Sequence, residues 1–195
     1  HYNLGIAYHD SGKYQEPSYK KLSVSQVQSM ANMSIREKEK MGFFGHSTIN
    51  HDYNLKTIKG DKVVVDNATG LMWHQSGSDG YMEWNRAKEW VRGLCGRGYA
   101  GYHDWRLPTL EEAASLLESN KRNGVYIDPI FSNKQDWVWT GNKVKPEDEE
   151  EEDVSEVVWL YPSYEYWRVY FYYGSVYWGN RISYRNYVRP VRSME

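Results

Sequence analysis

The sequence predicts an α+β domain, and three observations carry that expectation. Lys62-Val-Val-Val-Asp66, the turn residues Asn67-Ala-Thr-Gly70 and the return run Leu71-Met-Trp-His74 read as a β-hairpin. Two amphipathic helix patterns follow, over 82–95 and from Thr109 onward. Near the C-terminus, Trp167, Val169 and Phe171 alternate with Arg168, Tyr170 and Tyr172, the period of a strand with one buried face.

The 195 residues suit one ordinary domain plus an extension, and 16% aromatic content is enough for a sizeable core. Cys95 is the single cysteine, which excludes an intrachain disulfide framework and any cysteine-based zinc cluster. No run of about 18 apolar residues is present, so no transmembrane helix is expected. No signal peptide is visible in a chain that starts at His1, and the expected location is cytoplasmic. Net charge is −2, and Glu147–Asp153 contributes seven consecutive acids, so the remainder carries about +5. That is too mild a balance to indicate nucleic acid.

Along the chain, Tyr2, Leu4-Gly5, Tyr8, Gly12, Tyr14 and Glu16 look like either the start of a tetratricopeptide-type repeat, which Pro17 interrupts, or an ordinary amphipathic helix. Ser23 to Gln26 is a capping box opening a short helix with Val24, Val27, Met30 and Ala31 on one face. Ser34 is expected to cap another helix through Lys40, and 42–53 reads as a loop with two solvated histidines, His46 and His51. The 82–95 helix carries Trp84, Ala87, Val91 and Leu94 on one stripe. Thr109 and Glu112 form a second capping box, before a helix with Leu110, Ala113, Ala114 and Leu117 inward. Ile127-Asp-Pro-Ile-Phe131 is a loop plugging apolar side chains inward, Trp137-Val-Trp139 is a strand, and the acidic run is a solvated loop. Val157–Leu160 is expected to begin the C-terminal sheet.

The tail from Trp159 to Arg192 holds nine of the eighteen tyrosines, three of the nine tryptophans and five arginines. The wet face of a sheet accounts for a few tyrosines. So many clustered aromatics indicate an interaction patch, because Tyr and Trp give stiff, amphipathic contact area at low entropic cost. Gly174 breaks the alternation, Val176 resumes it, and Pro190 places Tyr187–Arg192 at an edge or bulge.

Thr69-Gly-Leu-Met-Trp73, Gly101-Tyr-His-Asp-Trp-Arg-Leu-Pro-Thr109 with Glu111-Glu112, Ile127–Phe131, Trp137-Val-Trp-Thr140 and Tyr187-Val-Arg-Pro-Val-Arg192 occur in that order. Together they resemble the domain at the C-terminus of bacterial collagen-like adhesins, related to the formylglycine-generating-enzyme branch of the C-type lectin fold. The tail is also similar to the variable region of proteins diversified by retroelements, with a framework W-x-V-x-F-x-x-G-x-V-x before Y-V-R-P-V-R. Most residue types at its x positions are reachable from one Asn codon by adenine changes alone, whereas Trp178 needs a Lys-type codon. The resemblance implies two helices packed on small antiparallel sheets over residues 55–195, with a variable region near 160–187, behind a helical extension over 1–54. It implies a rigid scaffold whose hypervariable face binds a variant-specific ligand, expected to be a protein. The expected contacts are Arg168, Tyr170, Tyr172, Tyr173, Ser175, Tyr177, Trp178, Asn180, Arg181, Ser183, Tyr184, Arg185 and Asn186.

Enzymatic readings fare poorly on the residues. The formylglycine-generating chemistry needs a cysteine pair, and one cysteine is present. The calcium motifs Glu-Pro-Asn and Trp-Asn-Asp are absent, as are a phosphate loop, a G-x-S-x-G elbow and H-E-x-x-H, so no metal or cofactor is expected. Asp104 and Arg106 are expected to be structural. The runner-up function is a fixed-specificity adhesin face binding a polyanionic glycan through Arg168, Arg181 and Arg185.

Overall fold

The computed structural model of the chain describes residues 14–145, 166–179 and 185–194. Its elements run α1 (Val24–Gln28), β1 (Met33–Glu39), β2 (Gly42–Ser47), β3 (Tyr53–Ile58), β4 (Asp61–Asp66) and β5 (Leu71–His74). After these come α2 (Trp84–Gly96), a 3-10 turn (Tyr99–Gly101), α3 (Leu110–Ser115), β6 (Trp137–Lys143), β7 (Tyr166–Tyr170), β8 (Ser175–Tyr177) and β9 (Val191–Ser193). The strands form two antiparallel sheets, one ordered β1-β2-β8-β7-β6 and the other β3-β4-β5-β9. The α+β class therefore holds.

Local signals explain several elements directly. Ser23 and Thr109 each accept from the backbone N–H three residues on, and Gln26 and Glu112 reach back to complete both capping boxes. Helix α2 buries Ala87, Val91, Leu94 and Cys95. The β4–β5 hairpin pairs Val64 with Trp73 and Val65 with Met72. Strand β9 begins just after Pro190 and lies at a sheet edge, where a missing N–H costs no ladder bond.

The N-terminal part departs from expectation. The helix expected over Ser34–Lys40 is strand β1, and the loop expected over 42–53 contains strand β2. The described part of the 1–54 extension is thus one five-residue helix and a hairpin, not a helical unit. The physical reason is tertiary: β2 hydrogen-bonds to β8, Phe43 is fully buried, and Met33 and Ile35 pack on the core. Residues 14–23 are also fastened, through Tyr19 Oη donating to the Leu107 carbonyl and the Trp167 indole donating to the Leu22 carbonyl. The acidic run, Val157–Leu160 and the beginning of the repeat-like segment lie outside the described residues.

One core cluster joins Phe43, Trp73, Leu110, Ala113, Ala114, Leu117, Phe131, Val138, Trp167, Val169, Phe171, Val176 and Val191. A second joins α2 to Val63, Val65, Trp105, Leu107, Trp139 and Val188. Each large side chain here contributes about 1.5–3 kcal/mol by leaving water. Polar pins cross between elements. Arg106 donates through both terminal nitrogens to Glu112, at 2.7 Å each, with both side chains fully buried. Arg192 donates to Asp104 at 2.7 and 3.0 Å. Asp104 and Arg106 therefore both make structural contacts, as expected. His51 is a pin rather than a solvated loop residue: Nδ1 meets Asp66 and Nε2 meets the Ser115 carbonyl, both at 2.7 Å.

Candidate ligand-binding face

The register of the five-stranded sheet decides which tail residues face outward. Residues directly opposite in an antiparallel ladder share one face. Lys38, Phe43, Val176, Val169 and Val138 form one row, whose Phe43, Val176, Val169 and Val138 lie in the core. The other face carries Glu39, Gly42, Tyr177, Arg168 and Trp139 in one row, and Glu37, Phe44, Ser175, Tyr170 and Trp137 in the next. The tail framework Trp167, Val169, Phe171 and Val176 is fully buried, so alternation separates scaffold from face.

On that outer face lies a groove of about 390 Å³. Its described lining is Glu39, Trp137, Arg168, Tyr170, Tyr173, Ser175, Tyr177, Arg185 and Asn186. Seven of these nine are residues expected from the sequence to contact ligand. Tyr170 stacks on Trp137 with ring centroids 3.8 Å apart. The Arg168 guanidinium lies 4.8 Å from the Trp137 ring centre, 5.1 Å from Tyr177 and 5.9 Å from Trp139. Contacts of this kind contribute about 0.5–2 kcal/mol each, rising with desolvation. Burial, with smaller contributions from Asp136 and neighbouring tyrosines, pushes the Tyr170 hydroxyl above its ordinary range, so it stays protonated and able to donate.

The β7–β8 turn projects two exposed aromatics. Tyr172 and Tyr173 are 44% and 55% exposed, and the two rings meet edge to face at 5.1 Å. Lys121 sits 4.2 Å from the Tyr172 ring centre. Gly174 makes the turn possible: its φ is +71°, and a Cβ there would come within 3.0 Å of the Tyr126 ring.

Not every expected contact is open. Arg168, Ser175 and Asn186 are 3%, 2% and 2% exposed, because neighbouring aromatics and strand pairing enclose them; they reach the outside only through the groove wall. Trp178 turns inward instead, 5.1 Å from Trp167 and 6.3 Å from Phe43 by ring centroids, so its bulk belongs to the scaffold. Arg185 is exposed at the groove rim. Asn180, Arg181, Ser183 and Tyr184 lie outside the described residues.

Two lining residues escaped the sequence reading. Trp137 was assigned only to a strand, yet its alternation with Val138 already puts it on the outer face. Glu39 carried no signal, since its segment was read as helix. Elsewhere, the Cys95 thiol is buried, donates to the Trp105 carbonyl, and is pushed up to about 11 chiefly by burial, so it is a packed group held in its thiol form. Among the described residues no cluster of His, Cys, Asp and Glu has the makings of a metal site, and no helix is long and apolar enough to cross a membrane.

A family model described as the Lcl C-terminal domain matches residues 62–192, and the chain belongs to that family. The match begins inside β4, so β1, β2 and β3 lie ahead of it. No curated protein and no solved structure matches the chain.

Proposed function

We propose that this Lcl C-terminal domain is a C-type-lectin-like binding module whose Tyr-rich face, diversified by a retroelement, holds a variant-specific ligand without covalent chemistry. The observation that carries this reading is the convergence of x positions 168, 170, 172, 173, 175, 177, 185 and 186 on one groove and its adjoining turn, while the apolar framework positions are fully buried. Side chains on such a face can change without altering the core, and a sheet holds the backbone that presents them. The ligand is a protein surface. Stacked Tyr and Trp rings are the usual anchors of such contacts, and the groove is closer in size to a side-chain pocket than to a polymer track.

The fixed-specificity glycan reading has less support. Of its three arginines, Arg168 is enclosed by aromatic rings and almost fully buried.

Sequencing the 3′ end of the gene and its flanking DNA in many clones tests the proposal. The expected result is a near-copy of the tail beside a reverse-transcriptase gene, with differences only at template adenines. They should fall at codons such as 170, 172, 173 and 177, and never at 167, 169, 171 or 176. An invariant tail without a template copy would refute diversification.

A further inference from the structure

We propose that the N-terminal hairpin is part of the binding face, and that Glu37 and Glu39 on it select a protein partner offering a basic side chain beside an acidic one. This rests on the proposed binding role of the face and adds the chemistry of its partner.

The placement follows from one irregularity in the β1–β2 ladder. Ile35 pairs with Gly45, but Glu37, not Arg36, pairs with Phe44. Arg36 is therefore the extra residue of a β-bulge. Without it, the Ile35–Gly45 register would continue with Arg36 opposite Phe44 and Lys38 opposite Gly42. Because side chains alternate, that register would aim Arg36 and Lys38 at the groove face. The bulge instead puts Glu37 and Glu39 in the groove-face rows and moves Lys38 into the row of Phe43, and Glu39 lines the groove together with Arg185.

Gly42 keeps Glu39 close to the aromatics. It stands between Glu39 and Tyr177 in the cross-sheet row, and a Cβ there would fall 2.2 Å from the Val176 carbonyl oxygen and 3.2 Å from the Tyr177 ring. The face is thus bipolar. An acidic flank on β1 borders an aromatic centre, and Arg185 stands at the rim with no ion pair among the described residues. A dense polyanion would meet Glu37 and Glu39, and a purely cationic ligand would meet Arg185. A protein segment with both signs around an apolar or aromatic residue meets neither repulsion.

The test is selection of a phage-displayed random-peptide library on three proteins: the unaltered chain, Glu37→Lys/Glu39→Lys, and Tyr172→Ala/Tyr173→Ala. Glu37→Gln/Glu39→Gln serves as a milder second variant, and thermal melts establish that each is folded. The unaltered chain should enrich peptides carrying an acid and a base around an aromatic or apolar residue. The charge-reversed protein should enrich peptides in which the base is replaced by an acid. Synthetic copies of the first set should bind the Gln variant about fivefold more weakly, the scale of an exposed ion pair. If both proteins select the same charge pattern, or if heparin displaces the peptides from both equally, the bipolar assignment is overturned while the binding role stands. If the tyrosine variant enriches the same peptides as the unaltered chain, the binding role itself fails.

Discussion

His74 makes stability sensitive to mild acid. Its side chain is 6% exposed, it stacks on Tyr99 at 4.2 Å, and its Nδ1 accepts from the Gly77 N–H at 2.8 Å. A protonated Nδ1 would forfeit that acceptor. Burial first, then the Arg189 and Arg97 guanidinium groups, push its pKa from an ordinary 6.5 down to about 3. The folded state therefore holds this ring neutral where the unfolded chain would bind a proton. For a base with a depressed folded pKa, the unfolded state binds more protons between the two values, so stability falls as pH drops below 6.5 and the loss is complete near 3. Between about pH 8 and pH 5 the expected loss from this residue alone is about 2 kcal/mol, since one pKa unit corresponds to about 1.4 kcal/mol. Urea titrations at several pH values measure it, with His74→Asn as the reference. Asparagine offers an amide oxygen near the Nδ1 position but cannot titrate. Its lost stacking lowers stability equally at every pH, so the comparison is of slopes. Equal pH slopes for the two proteins over this window would refute the argument.

Two further predictions concern scaffold and face. Trp167→Ala or Phe171→Ala, both removing fully buried rings, should cost about 3–5 kcal/mol in urea titrations, whereas Tyr172→Ala should leave the melting temperature nearly unchanged. Tyr177→Ala should fall between them, because its ring contacts Arg168 and Trp137 and its hydroxyl reaches Met41 Sδ at 3.5 Å. Glu112→Ala takes the carboxylate from the buried Arg106 guanidinium and also removes the Glu112 half of the capping box, so it should cost about 3–5 kcal/mol; replacing the pair together by Met and Leu should recover most of that loss.

What the sequence made legible were elements whose signal is local. Capping boxes at Ser23 and Thr109, the α2 stripe and the β4–β5 hairpin each depend on residues within a few positions of one another. The tail framework was legible for the same reason, since Trp167, Val169, Phe171 and Val176 show their alternation within ten residues. The β1–β2 hairpin was not legible. Its strand Met33–Glu39 has only two apolar residues, and the partner that fixes it, β8, lies more than a hundred residues downstream. The bulge at Arg36 is likewise a property of the pair and not of either strand. Arg168 reads as a surface cation in its own strand, because the rings that enclose it come from the neighbouring strands, Trp137 and Trp139 from β6 and Tyr177 from β8.

The buried Arg168 also shows how the face can vary without losing shape. A side chain that moved freely over the groove would have to be ordered on binding, at about 0.5–1.5 kcal/mol for a rotamer-rich residue. Arg168 is already ordered by Trp137, Trp139 and Tyr177, and Tyr170 by its stack on Trp137, so the groove floor is built before a ligand arrives. Trp137 and Trp139 lie on β6, outside the tail. In the proposed diversification this pair of indoles lies outside the varied region and favours planar or aromatic groups at 168 and 170. At the β7–β8 turn no such support encloses the rings, so Tyr172 and Tyr173 can be replaced by almost any polar residue at little cost in stability. The proposal therefore predicts variation graded by burial: free at turn and rim, limited on the floor to residues the two indoles can hold, and none in the framework.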